Sequence, residues 1–150
     1  MIIDQQVVIP ATADRVWDFM MDIPAVSRCV PGVESIERLD DDTYLGSLKV
    51  KVGPIGVTLT GKVIVVERDR AGLRSRMDLQ AAEKRLNSAV SAHATMTLVA
   101  RSESETEVNI HTESSILGKL GEFGQAVMRK KADQIIAEFA RNMAHELTSS

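Results

Sequence analysis

Apolar and polar residues alternate through most of this chain, and only its two ends carry the three- and four-residue spacing of helices. The clearest alternation ends at Val52, where Leu48, Val50 and Val52 share one face and Lys49 and Lys51 occupy the other. Runs of this kind, separated by turn residues, predict β-strands. Seven are predicted, at residues 2–9, 33–39, 44–52, 57–67, 73–79, 87–100 and 108–116.

Helical spacing predicts two short helices after the first strand and one long helix at the end of the chain. Thr12 is a suitable N-cap for the first helix, whose buried face includes Val16 and Trp17. The second short helix is expected over residues 25–29, before Pro31-Gly32. The closing helix is expected from about Gly118 to Leu147, with apolar residues at steps of three and four.

This order of elements predicts an α+β protein. A strand, two short helices, a run of strands and a long helix favour a seven-stranded, curved antiparallel sheet that wraps around the C-terminal helix. An apolar cavity between sheet and helix is the expected result. The function predicted from this shape is the binding of a lipophilic molecule.

Composition agrees with one globular domain over residues 1–150. Hydrophobic residues make up 44% and charged residues 26% of the chain, as in ordinary soluble proteins. The net charge of -3 does not favour nucleic-acid binding, and the aromatic content of 3% offers few stacking surfaces. No nucleic-acid partner is predicted.

The location expected from the sequence is the cytoplasm. Cys29 is the one cysteine, so no disulfide can form within the chain. The N-terminus lacks the basic start and apolar run of a signal peptide, and no segment approaches the roughly 20 apolar residues of a membrane span.

No catalytic or metal-binding residue is predicted. Cys29 has no basic partner nearby in the sequence, as a nucleophile requires. His93, His111 and His145 are scattered, without the paired spacing of metal ligands. The chain is therefore interpreted as a binding protein and not an enzyme.

The predicted ligand-binding residues are those expected to face the helix. They are Val90, Ala92, Ala94, Met96 and Leu98 on the sixth strand, Val108, Ile110 and Thr112 on the last strand, and Phe123, Val127 and Met128 on the helix. Thr112, Ser114, His93 and Asn109 are the polar candidates for orienting a ligand. Lys49, Lys51, Arg74 and Arg76 are a candidate basic strip on the outer face, for an acidic partner or anionic lipid.

Three motifs resemble the carbon monoxide dehydrogenase CoxG family of the START-like (SRPBCC) helix-grip superfamily. They are Ala13-Asp14-Arg15-Val16-Trp17-Asp18-Phe19, Cys29-Val30-Pro31-Gly32-Val33 and Gly118-Lys119-Leu120-Gly121-Glu122-Phe123-Gly124. The first is shared widely in the superfamily, and the other two are more specific to the CoxG family. The resemblance covers essentially the whole chain and implies the helix-grip fold with a deep apolar cavity.

The resemblance also implies partners. Family members are associated with molybdenum-containing carbon monoxide dehydrogenases and related hydroxylases, which they help to couple to the membrane, and many carry a further C-terminal tail. The ligand expected from this partnership is a respiratory quinone such as menaquinone, with no tightly bound cofactor. Peripheral contact with the inner face of the cell membrane is a further expectation. The alternatives are an assembly or membrane-recruitment factor and a polyketide-cyclase-like enzyme.

Overall fold

The computed structural model describes residues 1–148 and contains one antiparallel sheet with helices on its concave side. The strands are β1 (Ile2–Ile9), β2 (Val33–Arg38), β3 (Thr43–Val52), β4 (Ile55–Asp69), β5 (Arg74–Glu83), β6 (Ser88–Ala100) and β7 (Thr106–Leu117). The helices are α1 (Ala13–Met21), α2 (Ile23–Ser27), a 3-10 helix (Lys119–Phe123) and α3 (Gln125–Thr148). This confirms the predicted α+β helix-grip fold, with its seven strands and two short helices after β1.

The sheet order is β1-β7-β6-β5-β4-β3-β2. Strands β2 to β7 form a meander, in which each strand pairs with the next along the chain, and β1 joins the far edge beside β7, with Ile3 opposite Thr112. α3 lies against β1 and also approaches β3. The helix thus lies across the concave face of a strongly curved sheet.

Local sequence explains the short helices. The Thr12 side chain accepts a hydrogen bond from the Arg15 amide at 3.2 Å, as an N-cap does. Asp22 ends α1 and caps α2, accepting from the Ala25 amide at 3.2 Å. Pro24 is tolerated because the first helical positions have no intrahelical partner for their amides.

The prediction of one helix from Gly118 was wrong at its start. Gly118 (φ 86°) and Gly124 (φ 88°) have positive φ, which right-handed helices do not allow. The segment between them forms the 3-10 helix, and α3 begins only at Gln125. This short helix is fixed to the sheet, since the Leu120 amide donates to Ser88 Oγ at 2.9 Å.

Two apolar clusters lie at opposite ends of the concave face, and a third, formed by Ile23, Tyr44 and Val65, joins α2 to the sheet. The main cluster joins α1, the C-terminal part of α3 and the end of the sheet beside them. It includes Trp17, Met96 and Met143. The second cluster contains Val52, Val57 and Leu120, with Phe123 and Met128 packed against it. No helix among residues 1–148 combines the length and apolar character needed to cross a bilayer.

Candidate functional site

The concave face of the sheet supplies the side chains that lie opposite α3. Successive residues of a strand point to opposite faces, so the strand register fixes which residues are neighbours there. Ala94 of β6 lies between Met77 of β5 and Thr112 of β7. The next row across the sheet consists of Tyr44, Val63, Leu79, Ala92 and Ser114. The centre of the face is therefore largely apolar, with hydroxyl groups at its borders.

This centre contains both buried and half-buried side chains, whereas each end of the face has fully buried ones. Met143 at one end and Val57 at the other are fully buried. Between them Ala94, Leu79 and Thr112 are only half-buried, although they belong to the face covered by α3. These side chains keep part of their surface accessible, so a ligand that covered them would gain free energy from apolar burial.

The strand residues predicted to bind a ligand all lie on this concave face. Met96, Leu98 and Val108 belong to the main core cluster, and Ile110 packs against it. Val90 packs against the second cluster, Ala92 is buried, and Ala94 and Thr112 are half-buried. The register thus brings the predicted residues together, with Ala92, Ala94 and Thr112 nearest the centre of the face.

The predicted helix residues are divided. Phe123 lies in the 3-10 helix, and both Phe123 and Met128 pack against the second cluster. Val127 is 39% exposed and lies outside the three core clusters. Val127 therefore contributes little to the apolar face beneath α3.

Two of the predicted polar candidates lie on the wrong face. His93 is on the convex face, with Nδ1 2.6 Å from Asp78 Oδ1. Asn109 Nδ2 donates to Glu107 Oε2 at 2.8 Å, and Asn109 alternates with the inward-facing Val108. The period of two along a strand excludes both from a site that contains Ala92 and Val108. Thr112 and Ser114 remain on the concave face.

The other sheet histidine is also on the convex face. His111 Nδ1 lies 2.5 Å from Asp4 Oδ1, and its Nε2 lies 3.5 Å from Glu113 Oε1. The hydrogen bond to Asp4, and then that to Glu113, raises the pKa of His111 above its usual value. Within residues 1–148, no group of three or more His, Cys, Asp or Glu is arranged to hold a metal ion.

Glu83 is a carboxylate on the concave side of β5, and its contacts are structural. Its side chain is 4% exposed and accepts from the Thr58 amide at 2.5 Å and the Arg85 amide at 3.0 Å. These two hydrogen bonds hold the pKa of Glu83 below its usual range. The β4–β5 pairing ends at Thr60 and Ala82, and beyond it the Glu83 carboxylate is the hydrogen-bond acceptor for the Thr58 amide.

Cys29 is buried beneath α3. The Asn142 side chain donates to the Cys29 carbonyl at 3.0 Å. Burial, followed by the nearby charge of Glu146, raises the pKa of the Cys29 thiol. A raised pKa suppresses the thiolate that nucleophilic chemistry requires, so packing explains this residue.

Two clefts lie beside α3, one along its middle and one at its start. The larger, of about 470 Å³, lies between α3, the end of β3 beyond its pairing with β2, and Pro31-Gly32. Its charged lining residues are Lys49, Lys51, Lys131, Glu138 and Arg141. The smaller, of about 270 Å³, lies between the end of β7 and the start of α3, and Met128 lines it. Neither cleft was predicted from the sequence. For the larger cleft, the sequence contained only one indication, the lysines in two distant segments.

The predicted basic strip does not exist as a unit. Lys49 lies opposite Thr58 of β4, whereas Arg76 lies opposite Glu67, nine residues further along that strand. At the rise of a β-strand this separates the two side chains by roughly 30 Å. Arg74 also pairs with Glu67 at 3.6 Å. The lysines instead border the larger cleft beside α3.

Comparisons with solved structures show the same fold across essentially the whole chain. A conserved protein from Geobacillus kaustophilus superposes with a TM-score of 0.90 at 18% identity, covering 100% of this chain and 97% of that one. A START superfamily protein from Mycobacterium smegmatis gives a TM-score of 0.69 at 9% identity, covering 99% and 97%. The Zhui aromatase/cyclase from Streptomyces sp. R1128 gives 0.70 at 14% identity, covering 98% and 93%.

Comparison with curated proteins found no match. The family model for carbon monoxide dehydrogenase CoxG matches residues 6–148, which is nearly the whole chain. This span runs from β1 to the end of α3 and includes both the concave face and the clefts beside it. The chain therefore belongs to the carbon monoxide dehydrogenase CoxG family.

Proposed function

We propose that this protein is a non-catalytic carrier that holds a lipophilic molecule between its sheet and α3 and serves a molybdenum-containing carbon monoxide dehydrogenase or related hydroxylase. The observation that carries the proposal is the half-buried apolar centre of the concave face, between two well-packed clusters. Membership of the CoxG family supplies the link to the dehydrogenase. The carrier acts in the cytoplasm.

The ligand that best fits this partnership is a respiratory quinone such as menaquinone. A dehydrogenase that feeds electrons to a respiratory chain needs an acceptor, and a membrane quinone has an isoprenoid tail that water does not solvate. Apolar burial contributes about 25 cal/mol per Å², and a few polar groups then orient the head. Thr112, at the border of the apolar centre, is suited to donate a hydrogen bond to a quinone carbonyl, whereas the Ser114 hydroxyl already donates to the Met1 carbonyl at 3.4 Å.

A cyclase-like enzyme is the less favoured function, although one structural relative is an aromatase/cyclase. Acid–base catalysis needs a titratable group within hydrogen-bond reach of the substrate. His93 and His111 project from the convex face, and Glu83 is engaged by two backbone amides. An assembly factor for the dehydrogenase is a further alternative, and it requires no bound ligand.

The first test is mass spectrometry of an organic extract of the protein purified from a quinone-producing bacterium. A stoichiometric quinone is the expected result. A different lipid would preserve the carrier function but contradict the quinone assignment. An empty protein that still captures a dehydrogenase would favour the assembly role.

A variant pair tests whether the concave face is the site. Ala94→Phe fills the half-buried centre, whereas Ala89→Phe adds the same ring to the exposed convex face of the same strand. We expect Ala94→Phe to weaken menaquinone binding at least about tenfold, or about 1.4 kcal/mol, and Ala89→Phe to bind as the wild type does. Binding is measured in detergent solution, and equal affinities for the two variants would contradict the proposed site.

A further inference from the structure

One end of the molecule concentrates positive charge. Residues 49–56, 84–87 and 117–131 contain eight of the chain's 18 Lys and Arg residues but only one of its 21 Asp and Glu residues, Glu122. Since the whole chain has a net charge of -3, the rest of the molecule is strongly acidic. We call these three segments the basic end.

Contacts between the segments show that they form one surface. Arg85 Nη2 donates to the Gly56 carbonyl at 2.8 Å, which joins the β5–β6 turn to the β3–β4 hairpin. A Cβ at Gly118 would lie 2.1 Å from the Asn87 carbonyl oxygen, so the chain after β7 passes directly over the same turn. Lys131 of α3 lines the larger cleft together with the β3 lysines.

The cations of this end are free to bind an anion. Its lysines form no ion pair with any carboxylate of the described residues. All except Lys131 are exposed, and Lys131 is half-buried beside the cleft. Arg85 is the partly neutralised member, since it lies 3.9 Å from Glu83.

Exposed apolar side chains stand among these charges. Ile55 at the hairpin tip is 38% exposed, Leu117 at the end of β7 is 66% exposed, and Val127 is 39% exposed. Apolar side chains within a cationic surface suit the boundary between anionic headgroups and acyl chains, where both groups gain free energy. A free phosphate would use the charges but would leave these side chains in water, whereas an acidic protein with apolar side chains of its own would cover both.

We propose that the basic end docks on an anionic lipid bilayer, with the hairpin tip and the start of α3 facing the headgroups. This orientation directs the two clefts, and with them the first half of α3, toward the membrane. The choice of lipid over an acidic protein rests on the proposed carriage of a lipophile. The opposite end, with α1 and the β4–β5 hairpin, faces away from the bilayer.

The test is co-sedimentation of the whole chain with vesicles. We expect binding to mixed phosphatidylcholine–phosphatidylglycerol vesicles, no binding to phosphatidylcholine alone, and a loss of binding with added salt. The double variant Lys49→Glu/Lys51→Glu should bind more than about tenfold more weakly, from about fivefold for each lysine near such a surface. The matched control is Arg15→Glu/Arg76→Glu, which makes the same charge change at the other end and should stay within about twofold of the wild type.

A second pair tests the apolar contribution. Ile55→Ser should weaken vesicle binding, whereas Val99→Ser, which changes a 48% exposed valine outside the basic end, should not. Unchanged melting temperatures would show that these surface variants are folded. Absence of binding to the anionic vesicles overturns the proposal, even if an acidic protein binds at this end. Equal losses of binding in the test and control variants also overturn it. Ala94→Phe should retain vesicle binding, so that this proposal and the proposed function can fail separately.

Discussion

At the scale of single residues, the glycine at position 118 fixes the path of the chain between the sheet and α3. Its φ of 86° and ψ of -163° lie in a region that only glycine occupies easily. The neighbouring Asn87 carbonyl also leaves no room for a side chain, since a Cβ would approach it to 2.1 Å. Two independent constraints, conformation and space, therefore require glycine here.

Gly118→Ala should destabilise the protein by more than about 2 kcal/mol, since backbone strain alone contributes about 1–3 kcal/mol. The control is Gly56→Ala at the same end of the molecule, where a Cβ would meet nothing within 4 Å. We expect Gly56→Ala to change the free energy of unfolding by less than about 0.5 kcal/mol. Urea denaturation measures both, and similar midpoints for the two variants would contradict this account of Gly118.

Glu83 makes the stability of the folded protein depend on pH in the acidic range. Its hydrogen bonds from the Thr58 and Arg85 amides lower its pKa in the folded state, so the folded state favours the carboxylate. This contribution is fully present above the ordinary glutamate pKa of about 4.3 and is lost as the pH falls through the lower folded value. Stability should therefore decline in that acidic window.

The Glu83→Gln variant should be less stable than the wild type at neutral pH and should lose less stability on acidification. Glu103→Gln is the control, because Glu103 is exposed in the β6–β7 turn and contacts neither amide. Thermal melting from neutral pH down to below pH 4 makes the comparison. Parallel pH curves for wild type and Glu83→Gln would show that Glu83 is not the responsible group.

At the scale of elements, α3 has two unequal halves. Its buried residues are Phe139, Met143 and Leu147, all in the C-terminal half, where Asn142 also bonds to the Cys29 carbonyl. The N-terminal half contains none of the fully covered side chains of α3, and the smaller cleft lies at its start. Burial therefore fixes the end of the helix and leaves its beginning less securely held.

Amide hydrogen exchange should reveal this difference. Opening of a helix segment costs less where fewer apolar side chains are buried, so residues 125–134 should exchange at least about tenfold faster than residues 139–147. Exchange measured by mass spectrometry on overlapping peptides makes the comparison. A bound lipophile should slow exchange in the first half, and uniform protection along α3 would contradict the division.

At the scale of the whole molecule, apolar packing and positive charge both vary along one axis. The main core cluster lies toward α1, the second cluster lies toward the β3–β4 hairpin, and the half-buried centre of the concave face lies between them. Positive charge is concentrated at the hairpin end. The opening beside α3 and the basic end thus occur together, which is the arrangement expected of a carrier that exchanges its ligand at an anionic surface.

The sequence by itself determined the elements and the faces of the strands. Alternation on β6 placed Ala92, Ala94 and Met96 on one face because the side-chain period of a strand is local. The motifs also identified the family, and the helix-grip fold followed. Strand ends were extended by pairing, as at β5, which continues to Glu83 because β6 supplies partners.

Only the tertiary structure decided which separate segments meet. His93 is a different case, because the alternation that turns Ala92 and Ala94 inward already turns His93 outward, and its choice as a polar candidate was inconsistent with the predicted face. Strand register and the position of α3 decide three features. Lys49 and Lys51 meet Lys131 at one cleft, the helix is interrupted at Gly124, and Glu83 accepts a hydrogen bond from the Thr58 amide. These are contacts between residues far apart in the chain, and hydrophobic periodicity within a segment carries no information about them.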